Sequence, residues 1–359
     1  MSEKKTSRGL IALLLLIIII LAGVAVYYAT LPPPAPPPPP EEKPPPPPVE
    51  KLKVAFLLPG SITDSGWNAA MYIGAQKARE ELDIDVAISE GVGQVGVDPT
   101  LRSYAERGYK IIFGWTIGHQ DSVLRVAPDY PDVLFVGAAW WQFAGKKNMI
   151  SFGTPMIDGA YMSGILAAYM TKTGIIGTMD GEKYPDMIAL QNAYEDGAKT
   201  VKPNIKVLKA FCGVWDDVSK GREVAMGLID SGADVLLFRG DGVTLGGIQA
   251  CAARGVYAIG DYLPQHELAR DTIIASNVVK NIEIIRIVVE GYRAGNMAPG
   301  GTDTDKKIFL GLKSGVQDLE ISPYFMDKIP KEALDKVNKV REDIIAGRFE
   351  VPYIGEERA

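Results

Sequence analysis

The sequence predicts an α/β fold of two similar lobes, each a parallel sheet flanked by helices, placed after an N-terminal transmembrane helix. Three observations predict it. Apolar, β-rich runs alternate with segments of helical period along nearly the whole body, the order that builds parallel sheets covered on both faces. The strand candidates are continuous apolar runs rather than alternating ones, as strands buried on both faces are. The 309 residues from Lys51 to Ala359 are too many for one small core and fit two domains of ordinary size.

At the amino end, Lys4, Lys5 and Arg8 precede Leu10–Ala29, an almost uninterrupted apolar run of 20 residues. At about 1.5 Å per residue this helix spans a hydrocarbon core of roughly 30 Å. The positive-inside bias makes residues 1–9 a cytoplasmic tail and residues 10–29 an anchor, with everything beyond Ala29 outside the cell. A cleaved signal peptide is the competing reading. Its apolar region is usually about 7 to 15 residues long, and Gly23-Val24-Ala25 is the small-residue site it would use. No cysteine lies near the run, so the expected tether is the helix itself and not a lipid. From Pro32 to Pro48 the chain is nearly all proline, broken by Ala35 and by Glu41-Glu42-Lys43, which favours polyproline II. Residues 30–50 therefore read as a linker, reaching up to about 50 Å at about 3.1 Å per residue.

In the body, strands are expected near Val54–Leu58, Asp85–Ile88, Lys110–Phe113, Val133–Val136, Gly174–Thr178, Lys206–Ala210, Val235–Phe238 and Tyr257–Ile259. Helices are expected over Trp67–Leu82, Asp158–Met170, Met187–Val201, Ser219–Ser231 and Gly242–Arg254. The helix Asp158–Met170 and Thr171-Lys172-Thr173-Gly174 after it mark a crossover between lobes. Lobe one is expected to hold residues 51–171 and about 276–305. Lobe two is expected to hold 172–275 and about 306–359, including an amphipathic surface helix within Pro330–Phe349. Ala275–Lys280 is a hinge candidate ahead of a helix reaching about Ala294. A cleft between the lobes follows.

Composition narrows the chemistry. A net charge of −6 and a pI near 5.2 argue against a nucleic-acid partner, whose phosphates need a basic face. Cys212 and Cys251 have no metal-ligand spacing; Cys212 ends a strand and Cys251 lies in a helix, and whether they pair is open. The two histidines, His119 and His266, come with no Gly-x-Ser-x-Gly elbow and no His-Glu-x-x-His signature, so no enzyme is expected. Asp216, Asp217 and Asp241 are too dispersed for a calcium-dependent hydrolase, and no cofactor or metal is expected.

The most telling stretch is Ser61-Ile62-Thr63-Asp64-Ser65-Gly66-Trp67-Asn68, at the carboxyl end of the first strand, where open α/β sheets bind ligands. A ring that can stack on a flat solute stands beside a carboxylate and an amide that can satisfy its polar edge. The plainer reading makes Trp67 a packing residue and Asp64 a helix cap. Gly240, Asp241 and Gly242 also follow a strand and open a helix, where backbone amides can face a ligand and Asp241 adds an acceptor. Asp121 follows a strand as well, and reaching the cleft or capping its own helix are both open. Trp115, Trp140 and Trp141 follow strands of the first lobe and are further candidates for the cleft.

Several stretches together resemble the basic membrane protein group of ABC-transporter substrate-binding proteins, which includes purine nucleoside receptors. They are the Thr63–Asn68 entry, Ala127-Pro128-Asp129-Tyr130-Pro131-Asp132-Val133, Met170–Gly174, Gly213-Val214-Trp215-Asp216-Asp217 with Lys220-Gly221, and Ser231-Gly232-Ala233-Asp234-Val235. The likeness covers about Lys53–Pro352. It implies a periplasmic-binding-protein-like fold of type I, a nucleoside held between the lobes, and an ABC permease as partner. By position, Trp67 resembles the aromatic that stacks on the base and Trp215 the aromatic that covers its other face. Asp64 and Asn68 resemble the residues that read the base edge. Asp261 and Lys280 lie near the positions that hold the ribose, although Gly260-Asp261-Tyr262 stands where the family usually has Gly-Val-Asp. Adenine-binding relatives tend to carry an aromatic in place of that lysine, so Lys280 favours a nucleoside over a free base. A free purine base or other planar solute, and a tethered sensor with no transport role, are the alternatives. A DNA-binding repressor of this fold type is excluded by the export signal and the missing helix-turn-helix.

Overall fold

The computed structural model describes residues 3–32, 50–93, 95–138 and 146–358. It divides into two units, Met1–Val49 and Glu50–Ala359. In the first, α1 (Glu3–Thr30) is one helix, and its stretch Arg8–Thr30, which contains an 18-residue window of mean hydropathy 3.2, is long and apolar enough to cross a membrane. The expected proline stalk lies, beyond Pro32, outside the described residues, as do Trp140 and Trp141.

In the second unit, the apolar runs become strands, and the inner strands of each sheet are buried along most of their length. The first lobe is built from β1 (Leu52–Leu57), α2 (Trp67–Glu81), β2 (Ile84–Ser89), α3 (Val97–Glu106), β3 (Ile111–Gly114), α4 (Gln120–Val126), β4 (Leu134–Ala138) and β5 (Met149–Gly153). The second is built from α5 (Ile157–Met170), β6 (Ile175–Asp180), α6 (Pro185–Lys199), β7 (Lys206–Phe211), α7 (Val218–Asp230), β8 (Val235–Arg239), α8 (Gly242–Arg254), β9 (Tyr257–Tyr262) and β10 (Ile273–Val279). The chain then returns for α9 (Asn281–Arg293) and β11 (Lys306–Phe309), and crosses again to β12 (Gln317–Ile321) and α10 (Lys331–Ile345). The sheets have the orders β11-β5-β4-β3-β1-β2 and β12-β10-β9-β8-β6-β7. Every pair is parallel except β12, which lies antiparallel on β10 as an edge strand.

Two expected lobe boundaries need correction. Helix α5 belongs to the second lobe, not the first, because it lies tightly on α6. A Cβ on Gly164 would fall 1.9 Å from the Tyr194 carbonyl oxygen, and one on Gly197 would fall 1.9 Å from that of Tyr161. Only glycines allow this approach. Residues 306–309 belong to the first lobe, because β11 pairs with β5. The hinge candidate Ala275–Lys280 is mostly β10 itself, an entirely buried strand. Cys212 and Cys251 are both free and buried, and burial pushes the Cys212 thiol up to about 11.

The α5–α6 contact sets the second lobe's geometry, so Gly164→Ala should be a costly single methyl. It should lower stability by about 1–3 kcal/mol, the usual size of an overpacking defect. Thermal unfolding reads this directly, and an unchanged midpoint would mean that the two helices separate freely.

Candidate ligand-binding site

The carboxyl ends of both sheets face a shared cavity of about 710 Å³. From the first lobe come Pro59, Gly60, Trp67 and Asn68 after β1, Thr116 and Ile117 after β3, and Ala138 on β4. From the second come Tyr184, Pro185, Asp186 and Met187 after β6, Trp215 and Asp216 after β7, then Arg239, Asp241 and Tyr262. Tyr353, beyond α10, completes the wall.

On the first lobe, Asp64 starts α2. Its carboxylate accepts the amides of Gly66, Asn68 and Ala69 at 2.9, 3.0 and 2.9 Å, and the Asn68 side-chain amide at 2.6 Å. With those commitments Asp64 is not among the lining residues. It holds Asn68, whose Oδ1 accepts the Gly60 amide at 3.1 Å. Trp67 stacks on Trp115 with centroids 5.3 Å apart and planes 15° apart, and its Nε1 donates to the Trp115 carbonyl at 2.8 Å. Trp115 is only 1% exposed, so it backs Trp67 and does not line the cavity.

On the second lobe, Trp215 lies parallel to Tyr184, with centroids 6.3 Å apart and planes 3° apart. Gly181 leaves room for it, since a Cβ there would sit 2.3 Å from the indole. Gly240, at φ +153°, turns β8 into α8 and donates its amide to Asp261 Oδ2 at 3.3 Å. That conformation suits glycine. Gly240 itself is not in the lining. Asp261 is 1% exposed and lies beneath the cavity surface, its carboxyl pushed well above the ordinary range by burial.

Arg239 is the feature that sequence reading missed. It is 4% exposed, donates Nη1 to the Pro155 carbonyl at 3.2 Å and lies 5.4 Å from the Tyr262 ring centroid. Burial would lower its pKa, but Tyr262, Asp261, Asp186 and Asp180 together hold it above its ordinary value. Asp180 is wholly buried, accepts Gln191 Nε2 at 2.6 Å, and is pushed up to about 7 by burial. Asp180 Oδ1, Asp261 Oδ1 and Arg239 Nε have no hydrogen-bond partner among the described residues. The available sequence signal was a charge ending an apolar strand, Arg239 after Val235–Phe238 and Asp180 after Ile175–Met179. Of the two, Arg239 lines the cavity and Asp180 lies beneath it.

Two contacts join the lobes across the opening. The Trp67 amide donates to Asp241 Oδ1 at 2.9 Å, and Gln265 Nε2 donates to the Ser65 carbonyl at 2.9 Å. Trp67 also meets Tyr262 edge to face at 5.4 Å. Two expected residues fall elsewhere. Lys280 precedes α9 at a crossover, its Nζ 3.8 Å from Asp318, and is not in the lining. Asp121 is an exposed residue in the first turn of α4 and is also outside it.

A family model described as ABC transporter substrate-binding protein PnrA-like matches residues 51–354. The chain is 27% identical to a purine-binding protein of Brucella abortus over 303 residues, covering 81% of each. It is 28% identical to the ABC transporter nucleoside-binding protein BmpA of Lactococcus lactis, over 70% of this chain and 73% of that one. An ABC transporter solute-binding protein of Aeropyrum pernix has the same fold, with a TM-score of 0.71 at 21% identity, over 84% of this chain and 94% of that one.

Burial raises Asp241 from its ordinary 3.8 to about 7, opposed by the Trp67 amide and reinforced by Asp64 and Asp216. A carboxyl with a raised pKa holds more protons folded than unfolded, so between about pH 4 and pH 7 its contribution to stability falls as pH rises. Measured against Asp241→Asn, which does not titrate, the wild type should lose thermal stability from pH 5 to pH 8. A difference that stays constant over this range would place the Asp241 pKa back at its ordinary value.

Proposed function

The chain belongs to the PnrA-like family of ABC transporter substrate-binding proteins, and from that premise we propose that it captures a purine nucleoside between its lobes and delivers it to a permease. It is a binding protein, not an enzyme. The observation that carries the ligand is the pair of indoles, Trp67 from one lobe and Trp215 from the other, lining one cavity. Two aromatic faces hold a flat base by stacking worth about 1–3 kcal/mol per ring. Asn68 offers an amide to the base edge.

Lys280 no longer argues for a sugar, so that preference rests on other groups. Asp186, Asp241 and Arg239 form a polar end of the cavity, with acceptors for hydroxyls and a guanidinium donor. A ribose offers these groups further hydrogen bonds that a bare base does not. The names of the Brucella and Lactococcus relatives agree with a purine or nucleoside ligand. For localisation, the apolar run Leu10–Ala29 of α1, with Lys4, Lys5 and Arg8 ahead of that run, reads as a single-pass plasma-membrane anchor that leaves the body outside.

Titration calorimetry with adenosine, guanosine, adenine and guanine should give the tightest binding with a nucleoside, and no heat with any of the four would sink the reading. Trp67→Ala and Trp215→Ala should each weaken binding by about 1–3 kcal/mol. Collapse of the fold with unchanged affinity in the surviving fraction would assign these rings to packing instead. For the anchor, N-terminal sequencing of membrane-derived protein should return the intact start, and protease added to whole cells should reach the body. A mature start near Val26 would show a cleaved signal.

A further inference from the structure

One wall of the cavity is made by a segment that no motif singled out. After α10 the chain runs from Val351 to Arg358 back over α6 and the loop before it. Val351 is buried, Asn192 Nδ2 donates to the carbonyls of Ile354 and Glu356 at 2.8 and 2.9 Å, and Lys183 pairs with Glu357 at 2.8 Å. Arg358 grips both oxygens of Asp196, at 2.5 and 2.7 Å. These anchors lie off the cavity and suffice to fasten the strap. In its middle, the Tyr353 hydroxyl donates to Asp186 Oδ1 at 2.7 Å, and both residues line the cavity. Asp186 is only 6% exposed, so the groups packed around it, Tyr353 among them, decide where its carboxylate points.

Resting on the reading that this cavity holds the ligand, we propose that the strap Val351–Arg358 is a working part of the binding site. Tyr353 is its positioning residue. The hydroxyl fixes the Asp186 carboxylate as an acceptor for a hydroxyl or amino donor of the ligand, and the ring closes the wall beside Pro185 and Met187. Fastening is already supplied by Asn192, Lys183 and Asp196, so the inward bond is redundant for anchoring. Its consequence falls on the cavity. Asp186 sits in the first turn of α6, where a carboxylate is favoured by the helix terminus, and Tyr353 fixes its direction.

The test uses full-length protein in detergent and adenosine as probe, with Tyr353→Phe, Asp186→Asn and the double variant. Tyr353→Phe keeps the ring and removes only the donor. It should weaken adenosine binding about 3- to 10-fold, the range for one hydrogen bond withdrawn from an ordered group, with the thermal midpoint unchanged. In the Asp186→Asn background the same change should cost less than about twofold, because the group it acts through is gone. Wild-type affinity in Tyr353→Phe, or an undiminished loss in the Asp186→Asn background, would overturn the proposal. If the wild type binds none of adenosine, guanosine, adenine or guanine, the purine reading fails instead. Hydrogen exchange over residues 182–190 in Tyr353→Ala then decides on the strap alone: faster exchange supports it and unchanged exchange overturns it.

Discussion

The hydrogen bond from the Trp67 amide to Asp241, 2.9 Å long, is the contact on which the cavity depends, because it joins the first turn of a helix in one lobe to the β8–α8 turn of the other. Several local choices follow from it. Gly66 must lack a side chain, since a Cβ there would lie 2.4 Å from Asp241 Oδ1. Asp64 must occupy the remaining amides of the same turn, and does so with both oxygens. Gly240 must take a left-handed φ so that the next residue can reach across. Once the amide is fixed, the indole plane is fixed too, held by Trp115 behind it and Tyr262 at its edge.

That contact places a carboxylate in a crowded field. Asp180, Asp241 and Asp261 surround one guanidinium, and burial raises all three carboxyls. Buried ion pairs contribute little net stability, because desolvation offsets most of the Coulomb attraction. Packing alone therefore gives no reason for this cluster. Among the described residues, Asp180 Oδ1 and Asp261 Oδ1 have no hydrogen-bond partner, and both residues lie beneath the cavity surface.

Long parallel strands were legible because burial on both faces leaves continuous apolar runs, and the glycine at the end of such a run marks the turn into the cleft. The strands β5, β10, β11 and β12 were not. Ala275–Val279 carries Ser276 and Asn277 on a strand buried along its length, β11 is a short edge strand with exposed lysines, and β12 is a short edge strand in which Gln317, Asp318 and Glu320 interrupt the apolar pattern. The α5 boundary was misplaced because an apolar helix at a crossover has no sequence mark of the lobe it joins; Gly164 opposite Gly197 decides it, and that pairing is long-range. Trp67, Asn68, Trp215 and Asp241 could be read from motifs next to strands. Arg239 left only the mark of a charge at the end of an apolar strand, and Asp186 and Tyr353 left none, because their relevance comes from convergence of α6 and the segment after α10.

The lobes are joined at the crossovers and at the mouth of the cavity. At the hinge the three crossovers bind one another: Asn277 Nδ2 donates to the Met156 carbonyl at 3.1 Å, and the Leu312 amide donates to Asp158 Oδ2 at 2.9 Å. Arg239 extends the same network from the Pro155 carbonyl to the cavity floor. Ser65, Met156 and Tyr262 are non-glycine residues with φ near +58°, and they lie at the mouth, the hinge and the cavity wall. Such conformations cost on the order of 1 kcal/mol each and persist where surrounding contacts fix them. At the mouth, among the described residues, two side-chain to backbone hydrogen bonds and one ring edge join the lobes. On the proposed function, a solute between Trp67 and Trp215 adds contacts that only the closed arrangement offers, and a ligand shifts an equilibrium by that differential alone. The aromatic pair then has two effects with one geometry: it binds the solute, and it makes the closed form the one that the solute stabilises.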